Sequence, residues 1–285
     1  MLVNDKRVAI LLATYNGSDY LKEQIDSIIN QTYKNWTLYI RDDGSNDETL
    51  AFVDNLCKSN NRIMLINDSE KHVGAAKSFM RLLENIDSEL YMFCDQDDVW
   101  KDDKIKISLD AYDEVNADKS RTPIVVHTDV SVTDENLNII VKSQWKDSNI
   151  YPDKLKSYNM LAICCYTQGN TMLFNNKAKE LCFPLKDTIL MHDWWVSTRV
   201  MKAGGVIKSV YEPTLLYRQH ADNVLGVRTG KANSILSRFL SLNEAINENR
   251  SLYKSIRNDG FGSLIKYLLC KAALLYHMHA TNNYK

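Results

Sequence analysis

Three carboxylates crowd into four residues at Asp95-Gln96-Asp97-Asp98, directly after the apolar run from Glu89 to Cys94. Like charges held that close raise one another's pKa values unless a cation binds among them. Oxygen donors suit a hard ion such as Mg²⁺ or Mn²⁺, which typically takes one or two carboxylates and leaves its other positions to water and phosphate oxygens. The competing reading is an Asp-rich turn capping the next helix. A second acidic loop, Asp42-Asp43-Gly44-Ser45-Asn46-Asp47, follows the run Trp36 to Ile40. A fixed carboxylate there could accept from a pyrimidine N–H or a ribose hydroxyl. A plain turn with an N-cap at Asn46 or Asp47 would use the same residues. Tyr15, within Thr14-Tyr15-Asn16-Gly17, can offer its ring to a base. Late in the chain, Arg218 could pair with a diphosphate oxygen or with an acidic neighbour. His220 could ligate a metal or be structural. The glycine of His72-Val73-Gly74 would permit close backbone approach to a ligand, or simply start a helix.

These loops need elements to hold them. Val8 to Ala13 reads as a buried strand, with Ser18 as N-cap of a helix carrying Tyr20, Leu21, Ile25, Ile28 and Ile29 at helical spacing. Further strands are expected over Trp36–Ile40, Arg62–Ile66 and Glu89–Cys94. Helices are expected to about Cys57, over Ala75–Asn85 and over Lys101–Ala117. Strand–helix alternation of this kind argues for an α/β fold with a mostly parallel sheet flanked by helices, whose ligands bind at the strands' carboxyl ends. Pro123–His127 is a further strand, and residues 128–160 look irregular. Gly169–Phe174 reads as a strand, Asp193–Ala203 as a helix, Leu215–Tyr217 as a short strand, and Gly226–Gly230 as a hinge.

An apolar fraction of 45% supports a folded core, and a net charge of −1 gives no drive toward nucleic acid. The charge is unevenly placed. From Arg228 onward nine Lys/Arg face three Asp/Glu, a net of +6, which leaves −7 on residues 1–227. Residues 228–285 are therefore expected to form a basic, mainly helical extension. Its apolar stretch Leu264–Tyr276 could lie on a membrane surface, pack on the core or serve a homodimer. It is too short and interrupted to span a bilayer. No CxxC pair occurs among the six cysteines, and Cys164 and Cys165 are expected as small buried residues. Met1 runs into charged Asp5, Lys6 and Arg7 without a secretory apolar region, so a cytoplasmic location is expected, with peripheral contact to the inner membrane face.

Taken in order and with their gaps, Leu12-Ala13-Thr14-Tyr15-Asn16-Gly17, Arg41-Asp42-Asp43-Gly44-Ser45-Asn46-Asp47 and Asp95-Gln96-Asp97-Asp98-Val99-Trp100 resemble the signatures of family 2 glycosyltransferases with the GT-A fold. The resemblance covers about residues 6–225, and the Asp-Gln-Asp-Asp-Val-Trp form is similar to bacterial rhamnosyltransferase-like enzymes. It implies a catalytic domain over 1–227, with a nucleotide-sugar half of about 1–127 and an acceptor half of about 128–227. It implies a metal-dependent, inverting transfer from a nucleotide-diphosphate sugar, dTDP-rhamnose or a UDP-hexose, to a hydroxyl of a saccharide or lipid-linked saccharide of a surface glycan. Position by position, Thr14, Tyr15 and Asn16 would border the donor base, and Asp43, with Asp42 beside it, would accept from that base. Asp97 would ligate Mn²⁺ or Mg²⁺, Asp95 would contact ribose or the metal's waters, and His220 would complete the metal shell. Asp193 in Met191-His192-Asp193-Trp194-Trp195 matches the catalytic base, although it could also cap its helix. Gln168-Gly169-Asn170-Thr171 resembles an acceptor-side segment. Two rivals use similar chemistry. A sugar nucleotidyltransferase would want a Gly-rich basic phosphate loop, where this chain has Gly17 alone, and a non-catalytic nucleotide-sugar-binding module would not need Asp97 and Asp193 together.

Overall fold

The computed structural model describes residues 6–116, 122–185, 189, 191–220 and 249–280. The expected hinge at Gly226–Gly230 and the boundary at 227/228 lie outside them. Strands β1 (Val8–Thr14), β2 (Trp36–Asp42), β3 (Ile63–Leu65) and β4 (Leu90–Cys94) pair in parallel in the order β3-β2-β1-β4. Helices α1 (Leu21–Ile29), α2 (Thr49–Ser59) and α3 (Ala75–Asn85) connect them. β1 and β4 are covered on both faces, which is why each reads as a continuous apolar run rather than an alternating one. The period-2 geometry still sorts their side chains. Ala9 and Leu11 join the core under α3, while Val8, Ile10 and Leu12 join the core with Ile25 of α1 and Val53 of α2.

Beyond β4 the sheet becomes mixed, where the strand–helix alternation predicts a mostly parallel sheet throughout. After β5 (Val99–Trp100) and α4 (Lys104–Val115) comes β6 (Ile124–Thr133), then β7 (Ile139–Val141), α5 (Gln144–Asp147), α6 (Tyr158–Ile163), β8 (Met172–Asn175), α7 (Asn176–Glu180), α8 (His192–Lys202) and β9 (Val206–Arg218). β8 inserts antiparallel between β4 and β6, and β9 runs parallel to β6. A helical segment over 249–258 (α9) and α10 (Leu264–Ala280) follow.

Residues 128–160 are less irregular than expected. β6 continues to Thr133 because every one of its residues is buried and β9 pairs along its length. β9 is likewise 13 residues long rather than a short strand at Leu215–Tyr217. Its polar and exposed positions, such as Tyr211 and Glu212, mask the pairing in the sequence. Between Thr128 and Ser131 of β6 the partners on β9 jump from Val210 to Pro213 to Leu216, so β9 carries a bulge there. Bulges bend a strand and increase its twist. Ser18 is not a cap: Tyr20 occupies the N-cap of α1 without a side-chain bond, and the Ser18 N–H donates to Asp47 instead. Cys165 is exposed and Cys164 half-buried, against the expectation of two buried thiols.

Trp100 closes the acidic loop from behind. Its indole is 2% exposed within the α1/α4 core, and β5 pairs Val99 and Trp100 with Leu216 and Leu215 of β9. Removing such a side chain leaves a cavity at a site fixed on two sides. Trp100→Ala should therefore cost about 3–5 kcal/mol of unfolding free energy in urea titration, with the midpoint lowered and the slope unchanged.

Candidate active site

Strand direction explains why the polar loops converge. β1, β2 and β4 are parallel and end at one edge. β8 is antiparallel to β4 and begins there, while β9, parallel to β6, ends there. Thr14-Tyr15-Asn16, Asp42-Asp43, Asp95 to Asp98, Gln168 to Thr171 and Arg218 to His220 are thus brought to the same side of the sheet.

The metal candidates meet directly. His220 Nε2 lies 2.9 Å from Asp97 Oδ2, and the His220 ring packs on Tyr20 at 4.5 Å between centroids. Burial, with the Asp97 and Asp193 charges, pushes the Asp95 carboxyl up to about 8. Asp98 is fully buried and raised well above its usual range by burial and by Asp97 and Asp95, although it accepts from Asn170 Nδ2 at 2.6 Å and from the Arg218 N–H at 3.3 Å. Among the described residues no three His, Cys, Asp or Glu side chains converge as a complete cage. A carboxylate oxygen and an imidazole nitrogen side by side still fit an octahedral cation whose other positions go to water and phosphate oxygens.

Arg218 is 3% exposed. Its guanidinium donates to the carbonyls of Asp97 (2.9 Å) and Glu135 (2.7 Å), pairs with Glu23 and stacks over Tyr20 at 4.7 Å. The acidic-neighbour alternative therefore describes its contacts here, and these hold the acidic loop in place.

At the end of β2, Asp42 is turned onto its own loop, accepting from the N–H groups of Gly44 and Ser45. Asp43 is buried and accepts from Arg41 (2.7 Å), Val73 N (3.1 Å) and Gly74 N (2.8 Å). Burial disfavours its charge, but the guanidinium and the two N–H groups outweigh that and hold the carboxyl below its usual range. Arg41, 1% exposed, also bonds Asp68 and Ser78, so it locks this loop to the segment before α3. His72-Val73-Gly74 consequently borders the donor loop, with the His72 ring edge-on to Tyr15 at 5.6 Å. Tyr15 is 46% exposed, so its ring is available to a ligand. The Asn16 side chain is spent on a loop bond, accepting from Asn46 N.

Two positioning residues were not singled out from sequence. The Gln96 amide accepts from Thr14 Oγ1 (2.7 Å) and Tyr15 N (2.9 Å), clasping the first loop to the acidic one. Its only signal was its place inside the motif. A Cβ at Gly17 would lie 2.4 Å from Gln96 Oε1, so glycine is what lets the two loops approach. Arg41 was similarly passed over as the residue before the acidic pair.

Asp193 lies in the first turn of α8, where Met191, not Asp193, is the N-cap. Its carboxylate accepts from Gly169 N at 3.0 Å and Trp194 N at 2.7 Å. Burial pushes its carboxyl up to about 6 against those two bonds. A Cβ at Gly169 would sit 2.5 Å from His192 Nε2 and 3.3 Å from Asp193 Cβ, so only glycine fits beside this turn.

The sequence model for glycosyl transferase family 2 matches residues 9–181, and the chain belongs to that family. It is 30% identical over 228 residues to the dTDP-rhamnosyl transferase RfbG of Shigella flexneri, covering 75% of this chain and 73% of that one. It is 28% identical over 204 residues to the UDP-Glc:alpha-D-GlcNAc-diphosphoundecaprenol beta-1,3-glucosyltransferase WfgD of Escherichia coli, covering 72% and 73%. The fold is similar to that of S. aureus TarS 1–349 in complex with UDP-GlcNAc, with a TM-score of 0.58 at 15% identity over 95% of this chain and 81% of that one. It also resembles the mannosyltransferase PcManGT of Pyrobaculum calidifontis in complex with GDP-Man and Mn²⁺, with a TM-score of 0.55 at 16% identity over 95% and 80%. The GT-A-like α/β fold expected from the motifs is thereby established, and the chain is a glycosyltransferase.

A raised carboxyl makes a signed prediction. The folded state keeps a proton on Asp95 up to about pH 8, whereas the unfolded chain releases it near the ordinary 3.8. The resulting stability is full below the lower value and is lost as pH rises through the higher one. Without metal the melting temperature should fall between about pH 5 and pH 8. Mn²⁺ should raise it more at the upper end, and an equal or smaller rise at pH 8 in calorimetry would count against a cation among these carboxylates.

Proposed function

We propose that this protein is a metal-dependent, inverting glycosyltransferase that moves a hexose or deoxyhexose from a nucleotide-diphosphate sugar to a hydroxyl of a bacterial surface glycan. The observation that carries the reading is the pairing of Asp97 with His220 at the end of β4, with the Asp193 carboxylate close enough to raise Asp95. One base and one cation site is the equipment that a single displacement needs. A double displacement would add a nucleophilic carboxylate. The similarity to RfbG favours dTDP-rhamnose as donor, with a UDP-hexose as the second choice. The similarity to WfgD favours a lipid-linked acceptor.

Asp97 and His220 would hold the Mn²⁺ or Mg²⁺, which would neutralise charge on the departing diphosphate. Tyr15 would stack on the donor base while Asp43, fixed by Arg41, accepts from a base N–H. Gln96 keeps Tyr15 and the acidic loop in register. Asp193 would remove the proton from the acceptor hydroxyl as its oxygen attacks the anomeric carbon from the face opposite the diphosphate. A carboxyl near 6 is well matched to that task, being ionised at neutral pH yet more basic than a free aspartate.

Asp193→Asn should leave the fold and the donor affinity near normal and lower transfer by at least ~10². In the wild type, kcat/KM should fall on the acid side through about pH 6. Transfer by the variant within a few-fold of wild type would remove Asp193 from the base role. For the metal, Asp97→Ala should abolish Mn²⁺-dependent turnover, and His220→Ala should raise the Mn²⁺ concentration for half-maximal rate by roughly 10–100-fold. Unchanged metal titrations in both variants would remove the cation from the reading.

A further inference from the structure

Among the described residues, α10 is attached by one face. Tyr267 (3% exposed) and Leu274 (6% exposed) are buried, and Lys271 Nζ donates to the carbonyl of Ile163 at the end of α6. These positions recur at i, i+4 and i+7, a single stripe of the helix. Away from that stripe stand Leu264 (51% exposed), Ile265 (71%), Leu268 (56%), Leu269 (66%) and Tyr276 (77%). At 100° per residue these five fall within roughly 140° of arc, so they form one continuous apolar face.

A soluble chain rarely leaves such a face to water, and contiguous exposed apolar surface marks an interaction site. The surrounding charge indicates which. Arg250, Lys254, Arg257 and Lys266 are all exposed on α9 and α10. Among the described residues of these two helices and their connection, the one acidic side chain is Asp259, which pairs with Arg199 and Lys202. Of those cations, Lys266 lies on α10 itself and Arg257 lines a surface cavity together with Leu264. Apolar side chains with such cations beside them match an anionic bilayer, where the first enter the acyl boundary and the second meet the headgroups. A second copy of this face would bring the same cations against one another. Among the described residues no helix is long and apolar enough to cross a membrane, so the helix would lie in the interface plane. α10 packs on α6, and α6 on α8, whose first turn holds Asp193. A bilayer on α10 would therefore adjoin the acceptor half of the enzyme.

We infer that the outer face of α10, with the basic residues around it, docks this protein on an anionic lipid surface. The inference needs neither the metal nor the transfer reaction, so it stands or falls separately from the proposed function. The test is co-sedimentation of the full chain with phosphatidylglycerol-containing vesicles and with pure phosphatidylcholine vesicles. The wild type should pellet with the anionic vesicles and far less with the neutral ones. Leu268→Asp with Leu269→Asp should weaken that partition by at least ~10-fold while circular dichroism and donor hydrolysis stay unchanged. Should that double variant not fold, Ile265→Gln with Tyr276→Gln supplies the same reading. Absence of wild-type binding to anionic vesicles would overturn the inference. So would a mass by light scattering twice that of one chain that the double variant halves while leaving vesicle binding intact, because the face would then belong to a second copy.

Discussion

The constraint on which the rest of this structure depends is the crowding of Asp95, Asp97 and Asp98 at the end of a strand with water excluded behind it. Carboxylates in that position repel each other and lose hydration together, so the chain must supply compensation from every direction. It comes from Arg218, which grips the Asp97 carbonyl, from Asn170 under Asp98 and from His220 beside Asp97. Lys104 is buried beneath the loop, its amine pushed down to about 7 by burial, which the nearby Asp98 carboxylate partly offsets. Burial, together with the neighbouring carboxylates, still raises Asp95 and Asp98. A cation bound among them, as the proposed function requires, would relieve that repulsion.

The compensating groups come from distant parts of the chain, and this separates what could be read from sequence from what could not. The parallel half was legible because β1 and β4 are apolar on both faces and its helices have regular periodicity. β1, β2, β4 and α3 fall within a few residues of expectation. The acidic loops were legible as clusters, and Asp97, His220 and Asp193 were each singled out. Their mutual arrangement was not. No local pattern says that β9 runs 13 residues along β6, or that β8 slips in antiparallel. Gln96 and Arg41 were missed because their work is to hold other residues, and a holding residue has no signature without the partner it holds.

Two clasps organise the loops that follow β1, β2 and β4. Gln96 joins the first loop to the acidic loop, and Arg41 joins the second loop to the segment before α3. Both are buried or half-buried side chains with several bonds each, so the surface around them is set before any ligand arrives. The exposed Tyr15 ring stands on that surface, beside His72. Pre-organisation of that kind reduces the ordering cost of binding.

The bulge in β9 carries a consequence for how enzymes of this shape can diverge. Val210 pairs with Thr128 and Pro213 with the very next residue, Asp129, so Tyr211 and Glu212 stand outside the ladder on the exposed side. A residue gained or lost there can be taken up by the bulge itself, without moving Leu216, Tyr217 and Arg218, which pair with β6 and lead to His220 beside Asp97. Past the bulge there is no such slack, because each residue in a strand advances the chain by about 3.3 Å and turns its side chain to the other face. A change of length between Leu216 and Arg218 would therefore part His220 from Asp97. Among functional descendants, differences in the length of this strand should collect at its kink and be absent from the residues after it.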